Sequence, residues 1–252
     1  MSGGNEELKV LIITVAGTSS RFRESLGKDC LKCIYYKNSI KESLLYRMIY
    51  QNTEFDCYVI VGGFMYDELK YVIENDFSEL KKKIILVKNN YFTEYGSGYS
   101  LYLGLKAIIN MNFSEVVFAE GDLYVDKESF EQLYELKTNV ITCNDEAILA
   151  NKAVAFYYDI DYGIHYIYDV SHNILEIREP FTGIFNSGQI WKFVSADKLK
   201  EDFFHLNEVE WQGTNLAFIQ KYFGSLKKEE YTMIRFKKWI NCNTISDFEK
   251  IK

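Results

Sequence analysis

The apolar and polar positions in the first half of the chain follow two alternating patterns. Short apolar runs of strand length are separated by longer segments with the apolar spacing of amphipathic helices. The pattern predicts strands at 9–15, 57–61, 83–87 and 115–119, helices at 40–53, 66–75 and 99–110, and loops at 16–29 and 89–98. Such an alternation with short connections predicts a mostly parallel, doubly wound α/β sheet, with ligands beyond the carboxyl ends of the strands.

The second half has a different pattern, in which short apolar segments follow one another closely. We predict strands at 139–143, 153–158, 164–169, 174–178 and 231–236, and helices at 196–202, 212–223 and 245–251. Strands at this spacing are typical of hairpins or of a mixed extension of a sheet. No long linker interrupts the chain, so we expect a single domain over 1–252.

The first predicted strand leads directly into a candidate site. Val10 to Ala16 is apolar apart from Thr14, as in strands that are buried on both faces. It is followed by the small residues 17–20, which let backbone N–H groups approach a ligand closely. Arg21 then supplies a guanidinium suited to phosphate, and Lys32 can reach the same place. Together these residues indicate a site for a nucleoside triphosphate.

Composition and charge narrow the classes of partner. The net charge of -7 over 252 residues argues against nonspecific nucleic-acid binding, which needs a basic face. No apolar run reaches the roughly 18 residues of a membrane helix, and the N-terminus is polar and acidic. The five cysteines lack paired spacing apart from Cys30 and Cys33, for which a metal or redox role is the weaker interpretation. We expect a cytoplasmic protein with reduced thiols and neither membrane insertion nor a nucleic-acid partner.

Four motifs in order resemble those of the nucleotidyltransferases that join a nucleoside triphosphate to a sugar phosphate or a small alcohol phosphate. They are AGTSSRF at 16–22, LKCI at 31–34, GD at 121–122 and WINCNTISDFE at 239–249. YSLY at 99–102 and EGD at 120–122 are most similar to phosphocholine cytidylyltransferases. The resemblance implies a Rossmann-like fold of the nucleotide-diphospho-sugar transferase type. Its nucleotide-binding half would span about 8–138, and a substrate-side half with a small mixed-β lobe would span about 139–252.

The resemblance also implies roles for residues near the ends of the predicted strands. Arg21, Lys32 and Asp122 would be catalytic, and Asp122 and Asn243 would hold Mg²⁺. The nucleotide would contact Ala16, Gly17, Thr18, Ser19, Ser20, Gly96, Ser97, Gly98, Ser100 and Glu120. Ser19 stands where the family has glycine, which implies strain if the backbone is left-handed. Asn243 stands where the family has aspartate, which implies weaker metal binding, a substitute carboxylate or impaired catalysis.

The reaction implied by the resemblance transfers CMP from CTP to a small phosphorylated acceptor and releases pyrophosphate. Candidate acceptor-binding residues are Glu179, Glu208, Glu210, Trp191 and Trp211. Glu179 stands where sugar-1-phosphate enzymes usually carry lysine, which favours a phosphocholine-like acceptor, a phosphonate or another phosphorylated amine. By family analogy, the product would serve surface glycan or lipid decoration, such as capsule polysaccharide biosynthesis.

Several alternatives stay open at this point. A sugar-1-phosphate nucleotidyltransferase using UTP or dTTP is the closest one, and a non-catalytic nucleotide-binding regulator is another. Glycosyl transfer at Asp159 and Asp161 is disfavoured, because that pair falls in a tyrosine-rich hairpin after the predicted nucleotide site. The oligomeric state is also open, with a homodimer as one option.

Overall fold

A computed structural model of the chain describes residues 7–52, 54–171 and 173–251. The helices are α1 (Ser20–Leu26), α2 (Leu44–Tyr50), α3 (Tyr66–Asp76), α4 (Ser97–Ile108), α5 (Lys127–Glu135), α6 (Ala196–Phe204), α7 (Glu208–Gln212), α8 (Leu216–Phe223) and α9 (Ile245–Phe248). The strands are β1 (Leu8–Val15), β2 (Cys57–Gly62), β3 (Ile84–Lys88), β4 (Phe113–Glu120), β5 (Leu123–Val125), β6 (Asn139–Asn144), β7 (Ala155–Asp159), β8 (Ile164–Tyr166), β9 (Phe181–Ser187), β10 (Ile190–Phe193), β11 (Tyr231–Arg235) and β12 (Trp239–Asn241). None of the helices in these ranges has the length and apolar character needed to cross a bilayer.

One large sheet organises the fold, in the order β3-β2-β1-β4-β10-β6-β9-β7-β8, with β11 also paired to β6. Strands β3, β2, β1 and β4 are parallel to one another, and β11 is parallel to β6. Strand β10 runs antiparallel to both β4 and β6, and β9, β7 and β8 form an antiparallel extension. The predicted α/β class with a mostly parallel core sheet is confirmed.

The central strands are apolar on both faces because helices cover both sides of the sheet. Val10 and Ile12 pack into a core with α4 and α8, whereas Leu11 and Ile13 pack into a second core with α2 and α3. Successive side chains of a strand point to opposite faces, so an uninterrupted apolar run supplies both cores. Strands of the second half share these cores, since β10 lies directly against β4.

Three local predictions are wrong or incomplete. Residues 174–178 are not a strand: β9 begins only at Phe181, directly after Pro180, which cannot donate a backbone hydrogen bond. The predicted loop at 16–29 contains α1, a short helix that buries only Phe22 and therefore lacks a periodic signal. Helix α5 and the short strands β5, β10 and β12 were not predicted either.

Candidate active site

A cleft of about 240 Å³ opens at the carboxyl ends of β1 and β4. Ligand clefts of parallel sheets lie at this edge, because the loops that follow the strands diverge there. Its lining comprises Thr14, Val15, Ala16, Gly17, Ser19, Leu31, Lys32, Cys33, Asn89, Phe92, Tyr95, Gly96, Ser97, Ser100, Glu120, Gly121 and Asp122. Three of the four sequence motifs therefore meet in this cleft.

Lys32 and Asp122 form an ion pair inside the cleft. The Nζ atom of Lys32 lies 2.6 Å from Oδ2 of Asp122, and the two side chains are 18% and 21% exposed. The other carboxylate oxygen of Asp122, Oδ1, is buried and has no hydrogen-bond partner among the described residues. A buried oxygen without a donor is unfavourable. Asp122 therefore offers an oxygen of the kind that hard cations such as Mg²⁺ prefer.

The motif at 239–249 contacts the motif at 16–22 through a second polar pair. Nη2 of Arg21 donates to Oδ1 of Asn243 at 2.9 Å. The backbone next to Asn243 contacts Asp122, because the N–H of Cys242 donates to the carbonyl of Asp122 at 2.8 Å. The first and the last motif of the chain are thereby brought together, although neither Arg21 nor Asn243 lines the cleft itself. The amide oxygen of Asn243 already accepts from Arg21, so a metal would have to share it.

Glu120 is the second carboxylate in the cleft. Burial and, to a lesser extent, the negative charge of Asp122 raise the pKa of Glu120 to about 7, against the opposing effects of Asn215 and Lys32. Nδ2 of Asn215, itself almost fully buried, donates to Oε1 of Glu120 at 2.7 Å. Asn215 is a site residue that sequence reasoning missed, because nothing near it in the chain marks it as a neighbour of Glu120.

Ser19 has the left-handed backbone that glycine ordinarily provides. Its φ is 53° and its ψ is 28°, directly before the first residue of α1. A non-glycine residue in this region costs about 1–2 kcal/mol. The hydroxyl of Ser19 accepts from the N–H of Lys32 at 3.4 Å, which ties the loop after β1 to the second motif. The departure from glycine is thus accommodated with local strain.

Glycines allow the start of α4 to pack directly on the segment after α7. The N–H groups of Gly96 and Gly98 donate to the carbonyls of Gln212 and Gly213 at 2.7 and 2.9 Å. A Cβ on either glycine would collide with the carbonyl oxygen of Gly213. Gly98 is consequently covered and does not line the cleft, whereas Gly96 does. The backbones of Thr18 and Ser20 flank the cleft but are not part of its lining either.

The prediction that Trp191 binds the acceptor is wrong. It is fully buried in the core, where its ring stacks on Phe118 and its Nε1 donates to the hydroxyl of Tyr166 at 2.7 Å. A side chain without exposed surface cannot contact a substrate. Trp211 lies instead in an aromatic cluster with Tyr95, which does line the cleft.

The three glutamates predicted on the substrate side do not line the cleft. Glu179 accepts from the hydroxyl of Tyr157 at 2.6 Å, on the antiparallel extension of the sheet. Glu208 and Glu210 lie in the first turn of α7. Glu210 closes the capping box of that helix, which explains its position without a ligand.

The two cysteines of the C-x-x-C pair do not have the features of a metal or redox site. Burial raises the pKa of Cys30 to about 11, and burial raises the pKa of Cys33 even more. Reactive and metal-binding cysteines instead have a lowered pKa. Within the described ranges, no group of three or more histidine, cysteine, aspartate or glutamate side chains is arranged to hold a metal alone. Mg²⁺ commonly binds through one or two carboxylates together with substrate phosphates, so Asp122 fits that mode.

The chain belongs to a family described as a domain of unknown function (DUF6564), which matches residues 28–252. A search of curated proteins found no match. The family description assigns no activity, so the chemistry has to be argued from the site.

Solved structures with a similar fold are nucleotidyltransferases. The inositol-1-phosphate CTP transferase of T. maritima has a TM-score of 0.66 at 15% identity, covering 98% of this chain and 96% of that one. The CTP:phosphocholine cytidylyltransferase of Streptococcus pneumoniae has a TM-score of 0.61 at 15% identity, covering 96% and 97%. A UDP-glucose pyrophosphorylase has a TM-score of 0.65 at 13% identity, covering 97% and 96%. The predicted fold type is confirmed, and the similarity to these nucleotidyltransferases is a similarity of fold.

Proposed function

We propose that this protein is a Mg²⁺-dependent cytidylyltransferase that transfers CMP from CTP to a small phosphorylated acceptor. The convergence of distant motifs at one cleft carries the proposal. Lys32 reaches Asp122 across 90 positions, Arg21 reaches Asn243 across 222 positions, and the backbone next to Asn243 contacts the same aspartate. Neither contact is needed to build the central sheet, and each brings a cation to the edge of the sheet at which the cleft opens, which supports a triphosphate site there.

The chain's own residues would act by positioning and by charge neutralisation. A phosphate oxygen of the acceptor attacks the α-phosphorus of CTP, a new P–O bond forms, and the bond to the departing pyrophosphate breaks. A phosphate monoester is already ionised near neutral pH, so no general base is needed. Lys32 and Arg21 would balance the charge that develops on pyrophosphate. The loop after β1 would hold the nucleotide in line for attack.

Asp122 would hold Mg²⁺ through its unpartnered oxygen, with Asn243 as a neutral neighbour. A Mg²⁺ ion held there would supply positive charge that neutralises part of the phosphate charge. Lys32 would then exchange its contact with Asp122 for one with the phosphates. The present ion pair therefore keeps both groups oriented in the absence of nucleotide.

The choice of acceptor rests on the family analogy and on charge. Glu179 and its partner Tyr157 lie next to His165 on the antiparallel extension, which places a carboxylate rather than a lysine there. Glu179 does not line the cleft, so the preference for a phosphorylated amine, such as phosphocholine or an aminophosphonate, over a sugar phosphate rests on its place in the family motif. By the same analogy the protein would act in the cytoplasm, and its product would serve decoration of a surface glycan or lipid.

The test is pyrophosphate release with Mg²⁺, each of CTP, UTP, ATP, GTP and dTTP, and a panel of acceptors. The panel would hold phosphocholine, phosphoethanolamine, aminoethylphosphonate and several sugar-1-phosphates, with mass spectrometry of the nucleotide product. Release with CTP and a small amine phosphate supports the proposal. Release only with UTP or dTTP and a sugar phosphate assigns the protein to the sugar-activating branch. Tight CTP binding without release from any acceptor supports a regulator.

A further inference from the structure

Glu120 is a carboxylate of the cleft that lacks a cation of its own. It lines the cleft together with Asp122, which lies two positions further along the chain. Asp122 is paired with Lys32, whereas Glu120 forms no ion pair in the parts of the chain that the structure describes and contacts the neutral amide of Asn215. A carboxylate that is largely removed from water and has no paired cation is unfavourable. Glu120 is therefore suited to a cationic group of a ligand.

Asn215 determines which oxygen of Glu120 is available. Nδ2 of Asn215, a residue that is 2% exposed, donates to Oε1 of Glu120 at 2.7 Å. The N–H of Asn215 donates in turn to Oγ of Ser97, which also lines the cleft, at 3.1 Å. Within the described ranges, Oε2 of Glu120 has no hydrogen-bond donor. The carboxylate is thus held through one oxygen, and the other is left for a ligand.

The contact with Asn215 also places Glu120 against the second half of the chain. Asn215 is the residue directly before α8, in the half that the sequence predicts to lie on the substrate side. Lys32, in contrast, reaches Asp122 from the first half. The acceptor would therefore meet Glu120, for which the sequence alone had indicated a contact with the nucleotide.

The other acidic residues are not available to an ammonium group in the cleft. Asp122 is the only further acidic residue of the lining in the described part of the chain, and it is assigned to Mg²⁺. The glutamates predicted for acceptor binding, Glu179, Glu208 and Glu210, lie outside the lining. An ammonium group inside the cleft would consequently have to pair with Glu120.

We propose that Glu120 selects the acceptor by binding its primary ammonium group through Oε2, and that Asn215 positions the carboxylate for this contact. The inference rests on the proposed function, because it assigns the acceptor of that reaction to this side of the cleft. A primary ammonium group donates hydrogen bonds to a carboxylate, and such charge-assisted bonds are strong. A trimethylammonium group carries no N–H and cannot donate. The substrate class is then a phosphorylated primary amine, such as phosphoethanolamine or aminoethylphosphonate, in preference to phosphocholine.

Two nucleotide products that differ only in the amine test the proposal without turnover. CDP-ethanolamine carries the ammonium group, and the ethyl ester of CDP has a hydrogen atom in its place. We expect calorimetry at pH 8 to give a dissociation constant for CDP-ethanolamine at least about tenfold lower than for the ethyl ester, and lower than for CDP-choline. In Glu120→Gln the amide oxygen would accept from Asn215 and the NH₂ group would face the ammonium group, so the preference should be lost.

Two further variants keep the inference testable if Glu120→Gln does not fold. Glu120→Asp keeps the charge on a shorter side chain and should retain part of the preference. Asn215→Ala removes the donor to Oε1 and should lower the preference less than Glu120→Gln does, whereas a merely structural role would weaken both products equally. Glu131→Gln is the matched control, because Glu131 is a partly exposed glutamate of α5 that pairs with Lys127. It should keep the wild-type preference.

The outcomes separate this inference from the proposed function. A wild-type protein that binds neither CTP nor either product would contradict the proposed function, and the inference with it. Binding of CTP without any preference for CDP-ethanolamine over the ethyl ester would overturn only the role of Glu120. The same holds if Glu120→Gln keeps the preference and instead weakens the binding of Mg²⁺ to the CTP complex, since Glu120 would then act on the metal.

Discussion

Lys32 and Asp122 lie 90 positions apart in the chain, yet their charged atoms are 2.6 Å apart in the cleft. The contact joins the loop after β1 to the turn between β4 and β5. It engages only one oxygen of Asp122 and leaves the other buried without a partner. An aspartate that only paired with Lys32 would not need to bury an oxygen without a partner.

Replacing Asp122 tests the metal role. In Asp122→Ala we expect pyrophosphate release to vanish and the Mg²⁺ dependence of CTP binding, measured by calorimetry, to be lost. Affinity without Mg²⁺ should stay equal or rise, because the variant removes a negative charge and frees Lys32. Asp161→Ala, in an exposed turn of the hairpin, is the matched control. Activity near the wild-type level in Asp122→Ala would remove this residue from the metal site.

Replacing Arg21 separates transition-state stabilisation from ground-state binding. The charge on pyrophosphate grows as the bond breaks, so Arg21→Ala should lower kcat at least about tenfold while CTP affinity changes less. Arg21→Lys should recover part of the rate, since it restores the charge but not the guanidinium fork. Lys70→Ala, which removes an exposed cation of α3, serves as the control. An effect confined to KM would be incompatible with this role.

The strained backbone at Ser19 predicts an unusual stability effect. Ser19→Gly should raise the free energy of unfolding by about 1 kcal/mol, because relief of the left-handed strain exceeds the entropy that glycine adds to the unfolded chain. Ser20→Gly, at the first residue of α1, should lower it by about 0.5–1 kcal/mol. Urea unfolding of both variants checks the sign. If Ser19→Gly and Ser20→Gly destabilise the protein equally, Ser19 does not have a strained left-handed backbone.

Glu120 predicts how stability depends on pH. Its pKa rises to about 7 in the folded protein, chiefly through burial, so the folded state keeps a proton that the unfolded state releases near its ordinary value of 4.5. Stability from this group is therefore present below about pH 4.5 and is lost as the pH rises through about 7. Glu120→Gln should remove that loss of stability, which is of the order of 3 kcal/mol. Thermal unfolding of both proteins in EDTA between pH 5 and 8 measures this loss of stability. If stability depends on pH in the same way in Glu120→Gln and in the wild-type protein, Glu120 does not have the raised pKa.

The parts of the site that follow strands were predictable from the sequence. The carboxyl ends of parallel strands meet at one edge, so an apolar run ending in small residues and a second run ending before Asp122 had to converge. Ser19 and Asp122 were predicted in this way, whereas Lys32 was predicted from its spacing and from the family motif. The left-handed backbone at Ser19 was predicted only as one option, because the residue type alone does not determine φ.

The remaining site residues depend on contacts that local patterns do not record. Asn215 matters because of the side chain that it contacts, and an isolated asparagine is equally typical of an ordinary turn. Trp191 was misassigned because an aromatic residue on a strand has the same signature in a core as in a binding site.

The most direct test of the central claim is pyrophosphate release by wild-type protein and by Asp122→Ala, with CTP, Mg²⁺ and the acceptor panel. The account predicts CTP-dependent release from the wild-type protein that requires an acceptor and Mg²⁺, and none from the variant. Equal pyrophosphate release from both proteins would contradict the account. So would a wild-type protein that binds CTP but releases no pyrophosphate with any acceptor of the panel.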